Sequence, residues 1–279
     1  MGQRYAAILQ SMGDVEVVGI ADPVGQASFR DHASLLAEVR PDAVIICTPD
    51  HLHRPVAVDA LEAGCAVLVE KPLADTVADA EAICRAAAGR LAMVGHLLRF
   101  APHYAAVKEG LADLGDLLFV HAHRFGTAAS ARVVSHLMIH DLDLIRWITG
   151  QEVAAVQAAT VGASTAAAHL RLDGGALACV EAVAALPSAF AGHVWTGMTL
   201  IGTEGCVEVP STHPSVIRHG TGVTHVDRTR IGVLGAQTAA FLAAVRNGGP
   251  SPIPVEEGLA AVRLAAAVEE AAAKWPPST

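Results

Sequence analysis

The sequence has no CxxC pair, no excess of basic charge, no membrane-length apolar run and no glycine-rich loop. Each absence removes a class of function. The five cysteines, Cys47, Cys65, Cys84, Cys179 and Cys206, are odd in number and widely spaced. That pattern suits neither a disulfide framework nor a zinc ribbon, and it reads as reduced thiols in a cytoplasmic protein. A net charge of -9 argues against nucleic acid and anionic membrane as partners, because both attract a basic face. Apolar stretches are cut by charge, Gly or Pro before they reach bilayer length. The opening residues lack a charged region followed by an apolar run, so no signal peptide is expected. What remains is core-forming: 279 residues, 52% hydrophobic and 17% charged, enough for one large domain or two ordinary ones.

From Val15 to Gly95 short apolar runs alternate with helical patterns. A helix from Gln3 precedes a strand V15–A21. Then come a helix over S34–V39, a strand A43–C47, a helix ending at Gly64 and a strand A66–E70. A helix capped by Thr76 and a strand in "LAMVG" follow. These strands are continuously apolar, as a parallel sheet covered on both faces requires. "HYAAVKEGLADLG" reads as a helix closed by Gly115. After it the pattern changes. "LLFVHAHRF" alternates as a strand, and "SHLMIHDLDLIRWITG" is an amphipathic helix ending at Gly150. Consecutive strands V153–V161, A166–L172, A176–V183, H193–G202 and C206–P210 follow with short turns, which implies a mostly antiparallel sheet. Helices Q237–N247 and V255–A273 finish the chain before a frayed PPST tail.

Several of these segments carry a family resemblance. "AVLVEKPLADT" resembles the Glu-Lys-Pro signature of the glucose–fructose oxidoreductase and inositol dehydrogenase (Gfo/Idh/MocA) family. "VGIADP", "DAVIICTPDHLHRPVAVDALEAG", "MVGHLLRFAPHYAAVKEGLADLGDL", "IHDLDLIRWITG", "LRLDGGALACVEAV" and "LIGTEGCVEV" are similar to the family's other segments, in the same order. The resemblance implies an α/β fold: a reduced Rossmann-like doubly wound domain over 1–116, then an α+β domain with a mostly antiparallel open sheet over 117–279. It implies a small-molecule substrate, a sugar or cyclitol, with hydride exchanged with NAD(P). It also implies a homo-oligomer formed through the C-terminal sheet. Carried over by motif, Lys71 and His140 handle the hydroxyl proton, and His136 takes the place of a family carboxylate four residues before His140. Gly2, Asp22, Thr48, Pro49, His53 and Glu70 fall on the cofactor side. His96, Arg99 and Asp141 fall on the substrate side.

Elementary chemistry is consistent with those roles. As hydride leaves carbon, a base within hydrogen-bond reach must take the hydroxyl proton, with a pKa near the working pH. A strand-end lysine is tuned downward by burial, and histidine needs no tuning. His136 and His140 lie one helical turn apart. That is also a metal-ligand spacing, but no third ligand is identifiable and no metal site is assigned. Two departures from the family stand out. Only Gly2 can be placed in the GxGxxG turn, and Pro23–Ser28 is too short for a strand-to-strand crossover. Three readings therefore stay open: an NAD(P)-dependent oxidoreductase, a cofactor-independent acid/base enzyme using Lys71, His136 and His140, and a non-catalytic partner subunit.

Overall fold

The structure, a computed structural model, describes residues 1–24, 27–127, 132–187, 195–210, 215–219, 223–227 and 232–275. The PPST tail and the first two residues of the strand expected over H193–G202 lie outside the described residues. In chain order the elements are α1 (Gly2–Gln10), α2 (His32–Val39), β1 (Ala43–Ile46), α3 (His53–Glu62), β2 (Ala66–Val69), α4 (Val77–Ala86), β3 (Ala92–Val94), α5 (Pro102–Glu109) and β4 (Leu117–Phe125). A π-helical turn, Val134–Met138, then leads into α6 (Ile139–Thr149). Next come β5 (Val153–Val161), β6 (Thr165–Leu172), β7 (Leu177–Val183), β8 (Trp195–Gly202), β9 (Cys206–Val209), β10 (Ser215–His219) and β11 (Val223–Asp227). The chain ends with α7 (Val233–Asn247) and α8 (Val255–Ala273). Among these helices none is long and apolar enough to cross a membrane.

The chain divides into two compact units. The first holds Met1–His96 and Leu234–Val262, the second Leu97–Val233 and Arg263–Thr279. The sequence placed the join after Asp116 instead. The difference has a packing cause: α5 lies against α6 and β9, so its apolar residues Tyr104, Ala106 and Val107 belong to the second core.

In the first unit β1, β2 and β3 form a parallel sheet in that order. Their runs AVII, AVLV and AMV are apolar throughout, and Val67, Leu68, Val69, Met93 and Val94 are fully buried. Side chains cap the helices. Asp31 accepts the Ser34 N–H at 2.8 Å, and the Thr76 hydroxyl accepts the Asp79 N–H at 3.1 Å, each supplying one of the helix's orphan donors with a partner.

The expected strand V15–A21 is a correction. It forms no ladder, only a single bridge between Ala21 and Phe29. Its apolar run is right for a strand, but among the described residues no strand lies in register beside it. Val18 and Ile20 are left 47% and 45% exposed.

The second unit is an eight-stranded sheet, order β11-β10-β9-β8-β4-β7-β6-β5. All its pairings are antiparallel except β4 with β7. One face is buried by alternation: Val120 and Ala122 of β4, Ala178 and Val180 of β7, Leu170 and Leu172 of β6, Met198 and Leu200 of β8. It packs against α6 through a core that includes Leu142, Leu144 and Ile145. One further expectation needs correction. The helix expected to run to Gly115 ends at Glu109, followed by a 3-10 turn Leu111–Leu114. The hairpin β10–β11 did not emerge from the sequence pattern.

Candidate active site

The carboxyl ends of β1, β2 and β3 carry Thr48, Glu70 with Lys71, and His96, where ligands gather on parallel sheets. Several contacts lock this rim. The buried ring of His53 sets one nitrogen 2.8 Å from the Pro72 carbonyl and the other 2.9 Å from the Thr48 carbonyl. His53, expected on the cofactor side, therefore ties the loop after β1 to the Lys71-Pro72 turn with both ring nitrogens engaged. The Lys71-Pro72 peptide bond is cis. Glu70 is buried. One oxygen accepts the Lys71 N–H at 3.1 Å and the other accepts the Tyr5 hydroxyl proton at 2.8 Å. Gln237 Nε2 donates to the same Tyr5 oxygen at 2.7 Å. Burial, with Glu70 beside it, holds the Tyr5 proton on, and the same two causes push the Cys47 thiol up to about 12. Lys71 itself is half-buried, and His96 is buried.

The sequence reading missed Tyr5 and Gln237. They are 232 residues apart, and no local signal links them.

The nucleotide-side positions suit a dinucleotide in part. The Thr48 hydroxyl oxygen is buried with no hydrogen-bond partner among the described residues, an acceptor-donor held at a strand end. Gly2 opens α1, whose first turn has no side-chain cap. A Cβ at Gly2 would meet only Cys47, at 4.0 Å, so the backbone there can be approached closely. Asp22 is exposed, and one of its oxygens accepts the Val24 N–H at 2.8 Å. The second oxygen retains capacity for a ribose hydroxyl. Pro49 is exposed in the loop after β1.

In the second unit the histidine helix is buried on nearly every side. Its less-buried members are His136, Leu137, His140, Trp147 and Thr149. His136, His140, Asp143 and Trp147 follow four-three-four spacing, so they form one stripe. Both oxygens of Asp143 are taken by Arg99, at 3.0 and 2.6 Å, and Lys108 donates to the Trp147 carbonyl. The Arg99 guanidinium also lies 5.9 Å from the Trp147 ring centre. Gly150, in the left-handed region at φ 67°, closes the helix where a Cβ would be strained. The opening π turn carries His136. Such turns are single-turn insertions, frequent at functional sites, and helical periodicity alone does not reveal one.

Asp141, expected to contact substrate, is instead paired in the core. Arg124 donates to its two oxygens at 3.0 and 2.8 Å, and both side chains are under a tenth exposed. The signal for this was present in the sequence. Arg124 shares its parity in LLFVHAHRF with Val120 and Ala122, so an inward charge demanded a partner. Arg99, likewise expected on the substrate side, holds Asp143.

A parallel sheet with chemistry at its strand ends, in one chain with a mixed sheet backing a histidine helix, is the build of the two-part NAD-binding oxidoreductases. Family models agree on both parts. Residues 1–96 match the oxidoreductase family with an NAD-binding Rossmann fold, and residues 111–208 match the GFO/IDH/MocA C-terminal domain. The chain belongs to the Gfo/Idh/MocA family.

Inositol 2-dehydrogenase 1 of Saccharopolyspora erythraea is 35% identical over 178 residues, 60% of this chain and 50% of that one. Inositol 2-dehydrogenase of Rubrobacter xylanophilus is 32% identical over 222 residues, 72% of this chain and 62% of that one. The chain thus spans about half to three-fifths of the length of these curated relatives. The solved UDP-N-acetylglucosamine 3-dehydrogenase of Acidithiobacillus ferrooxidans superposes with a TM-score of 0.84 at 26% identity, covering 96% of this chain and 92% of that one.

Proposed function

We propose that the protein is an oxidoreductase exchanging hydride between NAD(P) and a secondary hydroxyl of a sugar or cyclitol. The observation that carries this is the Glu70-Lys71-Pro72 turn at the carboxyl end of β2, locked by His53 and Tyr5, in a chain of this family. The dinucleotide, when bound, supplies the hydride acceptor. Thr48 and Asp22 would hold it, with the Gly2 end of α1 beside the phosphates.

Lys71 and His140 act on the hydroxyl proton: one accepts it from oxygen as the carbonyl forms, and returns it in the reverse direction. His136, one turn from His140 on the same stripe, relays or orients. Glu70 fixes the start of the turn by accepting the Lys71 N–H, so the lysine leaves the strand in one direction. Arg99 is held against the histidine helix by Asp143. A cytoplasmic setting belongs to the same reading, and the protein assembles with copies of itself through the open face of the C-terminal sheet.

The test is turnover on a panel of inositols and nucleotide sugars with NAD and NADP. Lys71→Ala and His140→Ala should each lose about 10²–10⁴ in kcat with melting unchanged. Wild-type-level turnover in both variants would sink the assignment.

A second reading rests on one observation: among the described residues V15–A21 has only the Ala21–Phe29 bridge. It makes the protein a cofactor-independent proton-transfer enzyme using the same Lys71, His136 and His140. Turnover without any dinucleotide added or co-purified selects this reading.

A further inference from the structure

The sheet of the second unit has a second face, opposite the α6 core, where polar side chains sit among apolar ones. On β4 the outward positions are Phe119, His121, His123 and Phe125. On β7 they are Leu177, Cys179, Glu181 and Val183, and on β6 they include His169 and Arg171. Register brings the polar members together: His121 lies opposite Cys179, His123 opposite Glu181, and His169 opposite Cys179 from the other side. Five side chains of metal-ligand type thus share one patch across three adjacent strands.

Three of them are already grouped. A ring nitrogen of His121, the Cys179 sulfur and a Glu181 oxygen all lie within 4.8 Å of one another, and His121 Nε2 is 3.6 Å from Glu181 Oε2. Bond lengths of about 2.0–2.3 Å at a tetrahedral zinc imply ligand-to-ligand edges of about 3.3–3.8 Å. The nitrogen–oxygen edge already has that length, and the edges to the Cys179 sulfur are no longer than 4.8 Å. All three residues are half-buried, which removes part of the competing water yet leaves an approach for an ion. The strands hold the ligands on a rigid element, which loops do not. This cluster is separate from His136 and His140, the helical pair at metal-ligand spacing to which no metal site was assigned.

We propose that His121, Cys179 and Glu181 form a site for a single divalent cation of the zinc class, with a fourth position left open. The donor set of imidazole, thiolate and carboxylate suits Zn(II) or Co(II) and disfavours Mg(II) and Ca(II), which take oxygen ligands. Binding releases the Cys179 proton to solvent and breaks the His121–Glu181 contact in favour of two bonds to the metal. The β4–β7 register sets Cys179 opposite His121, with Glu181 one outward position further along β7. The site is independent of the proposed redox chemistry and would stand if that reading failed.

The experiment is a titration of the full-length, metal-stripped and reduced protein with Co(II), followed by competition with Zn(II). One equivalent should bind. It should produce a visible ligand-field spectrum and a near-ultraviolet thiolate-to-cobalt band, and Zn(II) should bleach both. Cys179→Ser should abolish the thiolate band. His121→Gln and Glu181→Gln should each weaken binding at least tenfold, and His136→Gln should leave it unchanged. Circular dichroism of each variant reports folding, and if Cys179→Ser folds poorly the His121→Gln comparison decides. No thiolate band in the wild type overturns the proposal, and so does a band that survives Cys179→Ser. Binding lost in His136→Gln but kept in His121→Gln also overturns it.

Discussion

Arg124 occupies an inward position of β4, where an unpaired guanidinium would be prohibitive. Asp141 on α6 meets it with both oxygens. A residue in this state is bound to the core and not to a ligand. Asp141→Asn is therefore expected to cost about 3–5 kcal/mol in urea unfolding, since it strands a buried cation, whereas Arg124→Met with Asp141→Leu should recover most of that loss. A substrate contact predicts the opposite signature, a raised KM at unchanged stability. Sequence pattern showed the inward parity of Arg124 but not the identity of its partner, because Asp141 and Asp143 stand two apart on one helix. The structure separates them: Asp141 goes to Arg124 and Asp143 to Arg99. The place of Glu70 and Lys71 at the end of β2 was legible because the EKP turn follows a continuous apolar strand. Tyr5 and Gln237 were not, because their meeting depends on tertiary packing across the length of the chain.

At the scale of elements, most strands and helices followed from periodicity, with α8 found at Val255–Ala273 as expected. The misses have physical reasons. A strand needs a neighbour in register as well as an apolar run, and V15–A21 has only the Ala21–Phe29 bridge. A π turn differs from an α turn by one residue, below the resolution of a hydrophobic pattern. Turn chemistry was more readable: "GTEG" marks the β8–β9 connection. Gly202 there has a specific duty, because a Cβ would lie 2.1 Å from the Leu114 carbonyl oxygen, a backbone atom with little freedom to move. Gly202→Ala is expected to destabilise the second unit by about 2–4 kcal/mol, read as a fall in thermal midpoint. An unchanged midpoint would mean that the 3-10 turn at Leu111–Leu114 does not pack as described.

For the whole molecule, the sequence resemblance and the family matches agree on the two-part build, but the join moved to His96–Leu97 and α7 returned to the first unit. On the open sheet face Leu177 is 52% exposed and Trp195 42% exposed, apolar side chains that association would cover. Light scattering should report a multiple of the 28.7 kDa chain, and Leu177→Asp should shift it toward the monomer; a monomeric wild type removes the proposed assembly.

The reading stands or falls on whether the first unit holds a dinucleotide at Thr48, Asp22 and the Gly2 end of α1. Titrating NADH into the purified full chain while following nicotinamide fluorescence addresses it most directly. The account predicts saturable binding with Kd below about 1 mM, weakened at least tenfold by Thr48→Val with Asp22→Ala. Absence of saturation at millimolar NADH, with the protein folded by circular dichroism, would contradict it.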